Sequence, residues 1–243
     1  MIKFNGVVKT FKTKKKTVNA VNKISFSVNP GEIFGLLGPN GAGKTTSLRM
    51  LSTLLRPTSG DINVYGYDTV KSPKEVRERI GFLSSDMNLT GNFSPREYLK
   101  FFGRLNHIED DKIDKRIEEL KDYFEMNEFI DRKVGGFSTG MKQKTLISIA
   151  LIHDPEVIIF DEPTNGLDIM TARQVLDFLR NLRKNGKTII LSTHIMSVAQ
   201  KMCDRIAIVH EGQLKELDTL QNILSKTGTD ELEDAFFKIV EVK

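Results

Sequence analysis

The sequence is poor in cysteine and contains no tryptophan, and Cys203 is the single thiol among 243 residues. A lone cysteine forms neither an internal disulfide nor a cysteine-cluster metal site, which is typical of proteins from reducing compartments. Because Cys203 lies in a stretch with apolar periodicity, we expect a buried structural thiol at this position.

Long apolar runs are also missing. A membrane-spanning helix needs ~20 predominantly apolar residues, whereas the longest candidate, residues 145–160, is interrupted by His153, Asp154, Pro155 and Glu156. The first residues likewise show no apolar segment of a secretory signal. We therefore expect the chain to reach a membrane only by docking to another protein.

The chain has little excess charge, with 36 Lys and Arg against 32 Asp and Glu and a net charge of +4. Its one dense basic run could contact nucleic acid or lipid headgroups and comprises Lys12, Lys14, Lys15 and Lys16. No aromatic residue is interleaved with these lysines, and no nucleic-acid-reading motif is present. We therefore interpret the run as a solvated turn between two strands and expect no nucleic-acid partner.

Short apolar runs alternate with helical patterns along much of the chain. The runs are typical of strands buried in a parallel sheet and lie at 33–37, 157–160, 188–192 and 206–209. Further strands are predicted at 23–28, 61–64, 80–83 and 213–217, and helices at 44–54, 169–184 and 196–202. This alternation predicts a doubly wound α/β core.

The strand signal almost disappears between residues 87 and 154. Ser94 is followed by Pro95 at the first helical position and by Glu97 three residues later, which is a capping box. Helical periodicity continues at 96–104, 110–126 and 139–153. We therefore predict one domain over 1–217, with a core of 1–86 and 155–217 and a helical lobe of 87–154, followed by a short helical tail, 218–243.

One glycine-rich segment carries a phosphate-binding motif. Residues 38–45 read Gly-Pro-Asn-Gly-Ala-Gly-Lys-Thr and match G-x-x-x-x-G-K-[ST] between a predicted strand and a predicted helix. Backbone N–H groups of such a loop surround phosphates, aided by the positive end of the helix. Lys44 would neutralise phosphate charge and Thr45 would ligate Mg²⁺. A structural glycine turn is the alternative interpretation. The predicted phosphate site comprises Gly38, Pro39, Asn40, Gly41, Ala42, Gly43, Lys44, Thr45 and Thr46.

A second motif places two carboxylates at the end of an apolar strand. The strand 157–160 runs directly into Asp161 and Glu162, and ligands of doubly wound sheets collect at the carboxyl ends of the strands. Asp161 would hold Mg²⁺ through water, and Glu162 would orient or deprotonate an attacking water. Such a strand end alone can equally be a capped turn, but the upstream phosphate loop favours the catalytic interpretation.

Together with these two motifs, three more segments resemble those of the ATP-binding-cassette (ABC) ATPases. The resemblance covers nearly the whole chain. Residues 137–141, Phe-Ser-Thr-Gly-Met, resemble the signature segment, residues 165–168 resemble the D-loop, and His194 resembles the switch histidine. Phe11 stands where the family stacks an aromatic ring on adenine. The resemblance implies a P-loop NTPase (RecA-like) α/β core with an antiparallel β subdomain and an inserted α-helical subdomain.

The resemblance also implies roles for individual residues. Hydrolysis of Mg²⁺-bound ATP would depend on Lys44, Glu162 and His194, with Phe11 on the adenine. Ser138, Gly140 and Asp168 would contact ATP bound by a second copy, so the site is shared and we expect an ATP-dependent dimer with the same chain or a paralogue. Core packing of Phe11 and an ordinary loop position for His194 are the alternatives.

The sequence departs from the family pattern at two places. Ser85 stands where the family usually has a glutamine, and either Ser85 or Asp86 could approach the Mg²⁺. Within the signature, Phe137, Thr139 and Met141 replace Leu, Gly and Gln. We expect altered coupling and weakened closure of the shared site rather than inactivity.

Residues 81–86, 94–98 and 137–143 resemble the ATPase subunits of bacterial Na⁺-efflux (NatA-type) exporters. This resemblance implies a separate integral-membrane permease, a position at the cytoplasmic face of the cell membrane, and Na⁺ as cargo, although exporters of drugs, peptides and lipids share the pattern. The permease would contact residues 87–104, where core packing of the lobe is the alternative for Phe93, Tyr98, Phe101 and Phe102. A ribosome- or DNA-associated ABC protein fits less well, because the chain has one cassette and no sustained heptads. A non-catalytic cassette fits least, because Lys44, Asp161, Glu162 and His194 are all present.

Overall fold

The computed structural model describes residues 1–12 and 16–241. Two lysines of the basic run, Lys14 and Lys15, lie outside the described residues, so the predicted turn is not described. Four strands form an antiparallel sheet in the order β2-β1-β4-β5, namely β1 (Ile2–Lys12), β2 (Thr17–Val28), β4 (Ser59–Val64) and β5 (Tyr67–Asp68).

Six strands form the larger sheet in the order β10-β9-β3-β8-β7-β6. They are β3 (Ile33–Leu37), β6 (Ile80–Leu83), β7 (Val157–Asp161), β8 (Thr188–Thr193), β9 (Arg205–His210) and β10 (Gln213–Asp218). All neighbours in this sheet are parallel except β10, which runs antiparallel to β9. Every residue of β3, β7 and β8 is buried, which explains why their sequences are apolar without alternation.

Both faces of the larger sheet carry a core. On β7, Ile158 and Phe160 join an apolar cluster shared with the helical lobe, whereas Val157 and Ile159 join a second cluster shared with the antiparallel sheet. This alternation is the twofold side-chain period of a strand. The helices are α1 (Lys44–Leu51), α2 (Pro73–Arg79), α3 (Pro95–Leu105), α4 (Asp110–Tyr123), α5 (Thr139–Leu151), α6 (Ile169–Lys184), α7 (Met196–Met202), α8 (Leu220–Thr227) and α9 (Leu232–Glu241).

The lobe contains α3, α4 and α5. The predicted capping box at the start of α3 is confirmed, because the Ser94 hydroxyl accepts from the Glu97 N–H and the Glu97 carboxylate accepts from the Ser94 N–H. The predicted α/β architecture, with an antiparallel subdomain and an inserted helical lobe, is likewise confirmed.

The tail helices α8 and α9 pack on the core. Ile223 and Phe236 share an apolar cluster with Ala199 of α7 and Ile206 of β9. Nearby, Cys203 packs against Gly35 of β3, and burial raises the pKa of its thiol to about 12. Within the described residues, no helix has both the length and the apolar character required to cross a bilayer.

Candidate active site

The glycine-rich loop connects β3 to α1 and lies against β2 and β9. Gly43 has φ +101°, and a Cβ there would lie 2.3 Å from the Ala20 carbonyl oxygen of β2. At Gly38 a Cβ would lie 2.1 Å from the Val209 carbonyl oxygen of β9. Neither approach leaves room for a side chain, so glycine is required where the backbone turns into α1.

Lys44 begins α1 and is only 4% exposed. Its ammonium donates to the Gly38 carbonyl at 2.7 Å and to the Pro39 carbonyl at 3.1 Å, and lies 3.9 Å from a Glu162 oxygen. Burial lowers the pKa of Lys44, against the opposing effect of the Glu162 and Asp161 charges. A desolvated cation held by loop carbonyls is suited to bind an anionic phosphate. The phosphate would replace the weakly interacting carbonyl dipoles with a charged partner.

Asp161 ends β7 and is 2% exposed. One carboxylate oxygen accepts from the Thr45 hydroxyl at 2.8 Å and lies 3.5 Å from the Ser85 hydroxyl, and the other accepts from Ser192. Asp86 is engaged elsewhere, by the Arg49 guanidinium at 2.7 Å and by the Ser84 hydroxyl. Of the two residues considered at the usual glutamine position, Ser85 is therefore the one that contacts Asp161.

The donor chemistry around Asp161 fits Mg²⁺, which prefers hard oxygen ligands and is commonly held by one or two carboxylates together with substrate phosphates. Thr45 and Asp161 supply a hydroxyl and a carboxylate oxygen 2.8 Å apart. In the described part of the chain, no group of three or more His, Cys, Asp or Glu side chains could hold a metal. Mg²⁺ held by one hydroxyl and one carboxylate would take its other ligands from phosphate and water.

Glu162 follows β7 directly and has φ +54°, an unfavourable conformation for a residue with a Cβ. Its backbone N–H is held by the Ser192 carbonyl at 3.1 Å. One carboxylate oxygen lies 2.9 Å from His194 Nδ1, and the other accepts from the Asn165 amide at 3.3 Å. The predicted catalytic glutamate and the predicted switch histidine are thus hydrogen-bonded neighbours.

Sheet topology explains why residues distant in sequence meet at this edge. Parallel pairing aligns Leu37 with Thr193 and Asp161 with Ser192, so the segments that follow β3, β7 and β8 emerge side by side. A cavity of ≈ 230 Å³ opens there, lined by Ala20, Asn40, Gly41, Gly43, Lys44, Thr45, Thr46 and Glu162.

Phe11 lies near the end of β1 and does not line this cavity. Its ring is 39% exposed, with the Lys9 ammonium 5.2 Å from the ring centroid. Core packing therefore does not account for Phe11, and the adenine contact stays a prediction.

Ser138, Gly140 and Asp168 also lie outside the cavity lining. Ser138 caps α5 by accepting from the Met141 N–H at 3.3 Å. Asp168 caps α6 by accepting from two backbone N–H groups at 3.0 Å and from the Thr171 hydroxyl at 2.7 Å, and the Thr171 hydrogen bond lowers the pKa of Asp168. Their roles toward a second copy stay predictions.

Sequence reasoning missed two members of the site. Ser192 bonds Asp161 through its hydroxyl, and the only sequence signal was a polar residue at the carboxyl end of an apolar strand. Asn165 holds Glu162 through its side-chain amide, although it was noticed only as part of the D-loop.

Comparison with known proteins assigns the family. Residues 21–165 match the model described as "ABC transporter". The chain is 43% identical to the ABC transporter ATP-binding protein NatA of Bacillus subtilis (strain 168), over 97% of this chain and 96% of that protein. It is also 39% identical to the Nod factor export ATP-binding protein I of Burkholderia lata, over 87% of this chain and 68% of that protein.

Solved structures agree with the sequence comparison. An ATP-binding subunit of an ABC transporter superposes with a TM-score of 0.90 at 26% identity, over 99% of this chain and 100% of that one. A dimeric ATP-binding cassette in a post-hydrolysis state with ADP and Pi gives 0.84 at 26% identity, over 90% and 99%. The chain therefore belongs to the ABC transporter family, as one of its ATP-binding, ATP-hydrolysing subunits.

Proposed function

We propose that this subunit hydrolyses Mg²⁺-bound ATP in an ATP-dependent dimer to power a membrane exporter, with Na⁺ as the cargo. The observation that carries the catalytic part is the meeting of Lys44, Asp161, Glu162 and His194 at one sheet edge. The triphosphate binds the loop N–H groups and Lys44, whose ammonium exchanges carbonyl partners for phosphate oxygens. Thr45, and Asp161 through water, would hold Mg²⁺, which would supply neutralisation of phosphate charge.

Glu162 acts on the attacking water in this proposal. Its carboxylate accepts a hydrogen bond from the water and takes the proton as the water oxygen bonds to the terminal phosphorus, while the bond from that phosphorus to the bridging oxygen breaks and ADP leaves. His194 and Asn165 each bond one carboxylate oxygen and so fix its orientation. The positive φ of Glu162 is held by the Ser192 carbonyl, which sets the glutamate relative to Asp161.

Pairing of two copies is supported by an exposed apolar pair beside Asp168. Ile169 is 86% exposed and Met170 is 72% exposed at the start of α6. Burial of such side chains against a second copy, next to the Ser138 and Asp168 helix caps, would bring those caps to the partner's ATP.

Size measurement in solution tests the pairing. A Glu162→Gln chain saturated with ATP and Mg²⁺ should elute as a dimer in light scattering, and a Glu162→Gln/Ile169→Asp chain should remain monomeric. A monomeric Glu162→Gln chain that also hydrolyses ATP at the normal rate would contradict both the dimer and the role of Glu162.

The permease contact is supported by an apolar groove of ≈ 370 Å³ between the core and the lobe. Its lining includes Phe82, Met87, Leu89, Tyr98, Phe102, Leu146, Ile149 and His153. Of the four aromatic residues predicted here, Tyr98 and Phe102 line the groove and also pack on the lobe's apolar cluster. Phe93 and Phe101 are 50% and 61% exposed beside it. An apolar segment of an integral-membrane permease fits this surface and would hold the chain at the cytoplasmic face.

The Na⁺ cargo rests on the likeness to NatA-type subunits, and the 43% identical NatA protein supports it. Drugs, peptides or lipids are the alternative cargo, supported by the relatives named for Nod factor export and for linearmycin and daunorubicin resistance. Right-side-out vesicles, with this chain on the inner face of its permease, should release trapped ²²Na⁺ when ATP is enclosed with the Na⁺ and should retain it when ATP is omitted. Movement of another solute without Na⁺ would overturn only the cargo, and no ATP-driven movement of any solute would overturn the exporter.

A further inference from the structure

The first turns of α5 and α6 are in close contact. A Cβ on Gly140 of α5 would lie 3.1 Å from the Thr171 hydroxyl and 3.3 Å from the Thr171 methyl group. One turn further along α5, the Gln143 side-chain amide donates to the Pro163 carbonyl at 3.2 Å. The helix capped by Ser138 is therefore docked on the residue that follows Glu162.

Pro163 lies in a short loop that is anchored at both ends. At one end, Glu162 is held by the Ser192 carbonyl and by the Asn165 side chain. At the other end, Asp168 caps α6. Pro163 itself is buried, and its carbonyl accepts a hydrogen bond whose donor lies outside the loop. Gln143 provides that donor from a different helix.

Gln143 thus joins two parts of the molecule that serve different ATP molecules under the proposed pairing. The cap of α5 would face ATP held by the second copy, whereas Glu162 would act on ATP held by its own chain. A shift of α5 on closure would move the Gln143 amide and, through the Pro163 carbonyl, the backbone immediately after Glu162.

We propose that Gln143 is a positioning residue that sets its own chain's Glu162 when α5 closes on the partner's ATP, an inference that rests on the proposed pairing. Gln143 would act through the backbone after Glu162, because its amide donates to the Pro163 carbonyl. Loss of the Gln143 amide should lower kcat and leave ATP binding by the unpaired, monomeric chain unchanged.

Mixed dimers with two affinity tags test this assignment. One chain keeps Glu162 and the other carries Glu162→Gln, so that a single site turns over. Gln143→Met keeps the side-chain length but removes the donor, and it is introduced into either chain. We expect kcat to fall about tenfold when the substitution is in the chain that keeps Glu162, with KM for ATP changed less than twofold. Gln143→Glu should lower kcat further, because its carboxylate would face the Pro163 carbonyl oxygen.

Gln174→Met is the matched control. Gln174 lies on α6 and its amide donates to the exposed Glu125 at 3.2 Å, so its loss should leave turnover unchanged. The inference is overturned if Gln143→Met has no effect, or an equal or larger effect in the chain without Glu162. If the unsubstituted chain hydrolyses ATP without pairing, the proposed pairing fails and this inference fails with it. Normal turnover of mixed dimers carrying Gln143→Met in the Glu162 chain removes the inference alone.

Discussion

The carboxyl edge of the large sheet and the outer side of the helical lobe are built in opposite ways. At the edge, charged groups are buried, with Lys44 and Asp161 only 4% and 2% exposed and bonded to loop carbonyls or hydroxyls. On the lobe, Phe101 and Leu105 of α3 are each 61% exposed. Buried charge favours a charged ligand and exposed apolar surface favours a protein partner, so we expect the two regions to bind molecules of different chemistry.

Removal of the buried cation should have the largest effect. ATP at 100 times its Kd stabilises a folded chain by about 2.7 kcal/mol, which corresponds to a rise in Tm of roughly 5–10 °C for a chain of this size. In Lys44→Met this rise should vanish. Because burial lowers the pKa of Lys44, the uncomplexed variant should be no less stable than the parent. Differential scanning fluorimetry with and without ATP checks both, and a destabilised variant that still responds to ATP would contradict the prediction.

The exposed apolar side should show the converse pattern. A Phe101→Ser/Leu105→Ser chain should lose permease binding by about 30-fold, since truncation of central apolar contacts of an interface costs about 2 kcal/mol or more. Its ATP-induced rise in Tm should persist. Phe237→Ser is the matched control, because Phe237 of α9 is 51% exposed. This variant should bind the permease as tightly as the parent chain does. Equal retention by both variants in pull-down would place the permease elsewhere.

Substitutions at Ser85 and Asp86 should have smaller effects, and these should differ in the Mg²⁺ concentration that hydrolysis requires. Ser85 contacts Asp161, whereas Asp86 pairs with Arg49. We therefore expect Ser85→Ala to raise the Mg²⁺ concentration for half-maximal hydrolysis by roughly threefold through a weakened hydrogen bond. Asp86→Asn should change that concentration less, because only an exposed ion pair is lost. A larger Mg²⁺ effect of Asp86→Asn would reverse the assignment.

An effect on stability alone should come from His153 on the groove. Burial lowers the pKa of His153, helped by the Lys187 and Arg116 charges and opposed by its hydrogen bond to the Ile80 carbonyl and by Asp154. Because the unfolded chain takes up this proton more readily, stability should fall as pH drops below the ordinary value near 6.5, by at most about 1.4 kcal/mol per pH unit.

Urea unfolding at several pH values measures the His153 contribution. His153→Gln should flatten the dependence of the unfolding free energy between pH 6.5 and 5.5. His107→Asn, at an exposed position, should leave it unchanged. An unaltered slope in His153→Gln would mean that other groups carry the acid sensitivity.

Elements with a strong apolar signal were predictable from the sequence. The predicted strands at 33–37 and 80–83 and the helix at 169–184 agree with β3, β6 and α6 at both ends. The helix α2 was not predicted, because its seven residues bury only Val76 and leave no periodicity to detect. The strand β2 begins six residues before the prediction, since its first residues are exposed and show no alternation.

Site residues that belong to a local sequence motif could be predicted. Site contacts that depend on how distant elements pack together could not. The phosphate loop and the Asp161–Glu162 pair follow from local sequence and strand ends. The Gln143 contact depends on how α5 packs against the loop after β7, and no local pattern encodes that docking. The hydrogen bond between Ser192 and Asp161 likewise arises from neighbouring parallel strands.

The positive φ of Glu162 has an evolutionary consequence. A glycine at this position would adopt φ +54° without the strain, on the order of 1 kcal/mol, that a Cβ introduces. The same substitution would delete the carboxylate that contacts His194. Substitutions that relieve this strain would therefore remove the proposed catalytic carboxylate, so we expect selection for turnover to keep glutamate there. A glycine at the equivalent position of a related cassette would mark a lineage in which that selection has been relaxed.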